Sequence, residues 1–179
     1  MDKKKILKFQ IFSIIFVSIL GTLLHFVYEW LGENSIVAAF SAVNESTWEH
    51  LKLLFFPMLI TTIIGYFYIG KNVSNFICAK TYGIIVAILF IIIFFYTYTG
   101  VIGTNFAIID IGSFFIAVIL GEYVAYRIII SNTYMFNCNK NLSIIILTVL
   151  FLAFVIFTYY TPKIGLFKDP VKKDYGILK

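Results

Sequence analysis

The residues best placed to do chemistry in this chain are two histidines and a handful of acids. His25 and Glu29 are four residues apart, and so are Glu45 and Glu49. On a helix that spacing puts both side chains of a pair on one face. Imidazoles and carboxylates suit divalent metals, so His25, Glu29, Glu45 and Glu49 would supply up to four ligands, and a metal-bound water would then serve hydrolysis. The pattern is neither HExxH nor another named zinc motif, so a divalent metal is a candidate cofactor and no other cofactor is indicated.

Two further readings compete, and the first of them, binding or transport of a small solute or ion, is preferred to a metal-dependent hydrolase. Acids in a membrane cavity can relay protons or meet a cationic solute. Asp110 would join His25 and Glu29 there, with Tyr28, Trp30 and Trp48 as apolar or cation-π walls. The alternative is structural. Ser46-x-x-Glu49 matches a capping box, Lys52 can pair with Glu45 or Glu49, and Trp30, Trp48, Tyr159 and Tyr160 fit an interface belt. The string Asn44, Glu45, Trp48, Glu49, His50 and Lys52 is unusual in any case, because so many polar groups open an apolar run. Two acids stand apart: Glu122, with Tyr126, Arg127 or another base as a partner, and Asp169 in the C-terminal segment.

The elements that must position these groups are membrane spans. Of 179 residues, 61% are hydrophobic and only 13% charged, against roughly 25% charged in soluble domains. A span needs about 20 apolar residues, which predicts five: 6–30, 50–70, 82–100, 106–130 and 142–160. The fold class is therefore an all-α polytopic transmembrane bundle. Residues 1–162 form one domain and 163–179 an irregular basic tail, which either folds back over the mouth of the bundle on Phe167 or hangs free. Residues 31–49 are too long for a tight turn and too apolar for a free loop, and so predict an interfacial or re-entrant segment.

Helical phase, at about 100° per residue, predicts an inward stripe of Ser18, Gly21, Thr22, His25, Glu29 and Gly32 on the first span. It also predicts a small-residue row, Ser113, Ala117, Gly121 and Ala125, on the fourth, where helices can approach closely. Pro57 removes one backbone hydrogen bond from the second span.

Basic residues set orientation. Lys3, Lys4, Lys5, Lys8, Lys71, Lys80, Arg127 and Lys140 fall at one set of span ends, against Lys52 alone in the opposite connections. That predicts a cell-membrane protein with a cytoplasmic N-terminus, and five spans then put the tail outside, although Lys163, Lys168, Lys172, Lys173 and Lys179 in the tail run against the rule. The apolar run after Met1 continues too far for a signal peptide and has no A-x-A-like site. The net charge of +5 sits beside apolar runs, so it anchors topology and does not point to nucleic acid. The bilayer is the expected partner, with a small molecule or ion as ligand. Cys78 and Cys138 fall in short polar connections and read as two unpaired thiols.

HFVYEW at 25–30, NESTWEHLK at 44–52 and LFKDP at 166–170 together resemble a family of small uncharacterised bacterial integral membrane proteins classed as a domain of unknown function. The resemblance spans nearly the whole chain. It implies a multi-span membrane protein but no activity, cofactor or substrate.

Overall fold

The computed structural model describes residues 3–131 and 139–177. These residues are helical with no strand: α1 (Lys3–Trp30), a one-turn α2 (Ser35–Ala38), α3 (Thr47–Tyr68), α4 (Phe76–Ile102), α5 (Ala107–Ile130) and α6 (Lys140–Tyr159). Five of the six are long and apolar enough to cross a membrane. Their ends follow local chemistry. The Asn34, Ser46 and Asn139 side chains accept the free N–H groups at the starts of α2, α3 and α6. Gly103, at φ +88°, closes α4 in the left-handed conformation that glycine adopts at no steric cost.

One boundary differs in a way that matters. The third span begins at Phe76 and not at Tyr82, because Phe76 is fully buried and draws its turn into the bundle. Cys78 and Lys80 are therefore helical and buried. Cys78 is disulfide-bonded, which corrects the expectation of an unpaired thiol in a polar connection. Cys138 lies outside the described residues.

Hydropathy and position run opposite to the rule for soluble proteins. The most apolar windows, in α4 and α6, have mean hydropathies of 2.5 and 2.7 and are 22% buried. The least apolar, in α3, has 1.6 and is 61% buried. Lipid accepts the most apolar surface, so polar and small groups collect at the centre. Helix α3 is thus the axis of the bundle, and Leu51, Leu54, Phe55, Met58, Thr61 and Thr62 are all buried along it.

Close approach depends on small residues. Ser113, Ala117, Gly121 and Ala125 are all buried on one face of α5, as their spacing predicts. A Cβ on Gly83 of α4 would lie 2.4 Å from the Gly121 carbonyl, and one on Gly121 would lie 2.7 Å from that of Gly83. A second such contact joins α1 to α3, where a Cβ on Gly21 would lie 2.5 Å from the Leu53 carbonyl. Leu53 precedes Pro57 by four residues, so its carbonyl has lost the N–H that would normally bond it. Gly21 packs against that unclaimed oxygen.

The half of the bundle nearest the N-terminus holds a buried polar cluster. Lys80 and Glu122, both fully buried, pair at 2.6 Å. With its amide nitrogen facing Glu122, Gln10 donates at 2.5 Å to Oε2, one of the two carboxylate oxygens that Lys80 also bonds, and accepts from the Tyr126 N–H at 3.3 Å. Lys80 is therefore an internal counter-ion for Glu122 and not a free anchor at the membrane surface. Arg127 bonds the Tyr123 hydroxyl instead.

Candidate functional site

The opposite face is built from the ends of α1, α4 and α6, the starts of α3 and α5, the 31–46 connection and the tail. The connection makes one turn of helix and then runs without regular structure, with residues 41–44 buried. Non-helical backbone at that depth needs protein partners, and the polar string at the head of α3 supplies them. Glu49 accepts the Val43 N–H at 3.1 Å and pairs with Lys52 at 2.5 Å. The Lys52 ammonium also donates to the Ala38 carbonyl at 2.8 Å and to the Thr158 hydroxyl at 2.9 Å. A single buried ion pair thereby ties the connection to α3 and α6.

The capping expectation holds for one side chain and not the other. The Ser46 hydroxyl accepts the Glu49 N–H at 3.4 Å. The Glu49 carboxylate bypasses the Ser46 N–H, which donates to the Asn44 side chain at 2.8 Å.

The tail folds back over this knot. Asn44 donates to the Gly176 carbonyl at 2.7 Å. Trp48 packs between Phe154 and Phe167, with ring centroids 4.5 and 4.6 Å away. Buried Asp169 spends one oxygen on the Val171 and Lys172 N–H groups and the other on the Glu45 N–H, at 3.2 Å. Asn44, Trp48, Glu49, Lys52 and Asp169 are therefore structural ties.

What the ties hold in place is a smaller group. His25 near the end of α1, Glu45 just before α3, and His50 in its first turn each offer an atom within 4.8 Å of the others. Glu45 Oε2 is 3.8 Å from His25 Nε2 and 3.5 Å from His50 Nε2. The two imidazoles meet edge to face at 5.2 Å. His50 Nδ1 lies 2.9 Å from the Ser46 carbonyl. A carbonyl only accepts, so Nδ1 carries a proton and, in the neutral ring, Nε2 presents its lone pair to the group. Phe26 stacks on His25, and Trp30 on Phe26.

The remaining candidates are placed elsewhere. Glu29 is exposed, because the buried phase of α1 runs through Gln10, Ser13, Val17, Gly21 and Tyr28. Tyr28 takes the inward place expected for Glu29, and the carboxylate turns out at the helix end. Thr22 and Gly32 are exposed as well. Asp110 lies outside the three-residue group. It accepts from Tyr98 and, at 3.1 Å, from Asn105, locking the α4–α5 turn, and its charge also suits the N-terminal turn of α5. Of the four metal ligands expected from sequence, only His25 and Glu45 are in the group. His50 replaces the pair lost, one residue beyond Glu49.

Residues 1–177 match a family of unknown function. No significant match was found among curated proteins or among solved structures.

Proposed function

Because this chain belongs to that family, DUF6512, no inherited activity guides the reading, and we propose that it is a membrane protein that binds a divalent metal ion through His25, Glu45 and His50. One observation carries this: two imidazole nitrogens converge on a single carboxylate oxygen at 3.8 and 3.5 Å. A tetrahedral zinc with arms of about 2.05 Å has ligand–ligand edges of about 3.3 Å, so the two edges at Glu45, 3.8 and 3.5 Å, need only a few tenths of an ångström of closure, and the two imidazoles, whose ligand atoms lie within 4.8 Å of one another, must also draw together. The Ser46 carbonyl behind His50 is the kind of partner that orients metal-bound imidazoles. Ion pairing alone explains the group less well, since exposed pairs stabilise by only about 0–1 kcal/mol and the three side chains are about a third to a half exposed.

Three protein ligands leave a coordination position open, the arrangement of catalytic and not of structural zinc. That favours metal-assisted hydrolysis as the activity to look for. Solute transport has less behind it, because two clefts on the molecule are lined by other residues and Asp110 is held by its neighbours.

Elemental analysis of detergent-purified protein, loaded with zinc and desalted, tests the reading. About one metal per chain is expected, lost in Glu45→Ala and His50→Ala and kept in Glu29→Ala. Folded protein that retains no metal, or metal that persists in the His25→Ala/His50→Ala variant, would overturn it.

For topology we infer a cytoplasmic N-terminus. With Lys80 removed from the tally, seven bases remain at the N-terminal face (Lys3, Lys4, Lys5, Lys8, Lys71, Arg127 and Lys140); on the other face the connections between spans have none and the tail carries five, Lys163, Lys168, Lys172, Lys173 and Lys179. The bonded state of Cys78 points the other way, since disulfides persist in oxidising compartments. The bases come from four separate segments and the thiol is a single residue, so the bases decide. The metal site then faces outward.

A further inference from the structure

The tail lines a cleft that shares no residue with the His25, Glu45 and His50 group. The cleft, of about 200 Å³, opens between the head of α3, the last turns of α4 and the tail, lined by Thr47, Phe95, Tyr96, Lys168, Asp169 and Lys173, among others. Lys168 and Lys173 are exposed, and neither pairs with an acid among the described residues. Asp169 also lines the cleft and would oppose an anion. Its two oxygens are already occupied by three backbone N–H groups, so the two lysines dominate what a ligand meets. Those same bonds fix the turn from which both lysines project. Tyr96, beside Thr47, supplies a hydroxyl at the mouth.

The volume decides what fits. It is smaller than the roughly 300–1,000 Å³ of pockets that engulf a whole small molecule, and holds a phosphate with a few attached atoms. The surroundings decide what those atoms join. Tyr96 continues the exposed stripe of Leu89 and Ile93 at helical spacing along α4, so the cleft sits at the polar end of a lipid-facing track. Exposed Ile164 and Val171 flank it on the tail.

We propose that this cleft binds the phosphate of an anionic phospholipid, with Lys168 and Lys173 on the headgroup and the acyl chains along Leu89 and Ile93.

The test titrates dioctanoyl-phosphatidylglycerol into the detergent-purified full chain and follows tryptophan fluorescence. Dioctanoyl-phosphatidylcholine and glycerol 3-phosphate serve as comparisons. Saturable binding of the anionic lipid is expected, weaker by at least about tenfold in Lys168→Gln/Lys173→Gln, since each surface base contributes roughly a fivefold effect. Lys163→Gln/Lys172→Gln, in the same tail but off the cleft, should stay within about twofold, because charges that do not touch the phosphate act on it only through a salt-screened field. Equal loss in both double variants would reduce the effect to diffuse surface charge and overturn the site. Equally tight phosphatidylcholine would remove the role of the anion, and equally tight glycerol phosphate would show a soluble phosphate site, not a lipid one.

Discussion

At the scale of single residues, the polar string at 44–52 divides into ties and free groups. Glu49 and Lys52 satisfy one another and the buried backbone around them. Glu45 and His50, on either side of Glu49, leave their reactive atoms facing His25. Spacing could not make this division. Glu45 and Glu49 are alike by type and share a helical face by count. They differ because Glu45 precedes the first turn of α3, and because Val43 lies near one of them and not the other. The buried pairs make a prediction at this scale. Lys80→Met strands Glu122 without its counter-ion and should cost about 3–5 kcal/mol, whereas Lys80→Met/Glu122→Met should recover most of that loss. Thermal unfolding in detergent reads both, and a double variant no more stable than the single one would contradict the assignment. Acidification should also release the metal, because its ligands bind deprotonated. Zinc retention that does not change between neutral and mildly acidic buffer would speak against His25 and His50 as ligands.

At the scale of elements, the spans were legible because lipid demands long apolar runs, and each predicted span lies within about six residues of an observed end. The small-residue row of α5 was legible for the same reason of period. The central place of α3 was not anticipated, although its lower mean hydropathy carried the signal. The facing of α1 was set one position off, because polarity at Glu29 reports water at a helix end as readily as an inward face. The tail was the least legible element: Asn44 meets Gly176 and Glu45 meets Asp169 more than 120 residues away in sequence, and no local pattern encodes such a pairing. Two predictions belong here. Gly21→Val would drive a side chain into the Leu53 carbonyl and the Phe114 ring, and should lower the unfolding temperature far more than Gly112→Ala, where nothing lies within 4 Å; overpacking typically costs about 1–3 kcal/mol. Trp48→Ala removes the surface on which Phe167 packs and should make the tail susceptible to limited proteolysis. A tail equally resistant in that variant would mean that the Asn44 and Asp169 bonds hold it alone.

At the scale of the whole molecule, polar groups gather in two places along the bundle. Near the N-terminus Lys80, Glu122 and Gln10 form a closed, internally satisfied cluster. At the other end the Glu49–Lys52 pair is equally closed, and the three-residue group above it is open to solvent. The closed clusters specify how the helices meet, and the open one has chemistry to spare. Orientation is the prediction at this scale: an impermeant thiol reagent should label Lys172→Cys from outside intact cells and fail to label Lys71→Cys. The reverse pattern would invert the topology and give the bonded state of Cys78 its simpler explanation.

X-ray absorption spectroscopy at the zinc edge of the loaded, purified protein tests the metal site most directly. The expected spectrum has a first shell of nitrogen and oxygen only, at about 2.0–2.1 Å, with the outer-shell scattering of two imidazoles, falling to one in His50→Ala. A sulfur shell at about 2.3 Å, or a spectrum unchanged by His50→Ala, would contradict the site built by His25, Glu45 and His50.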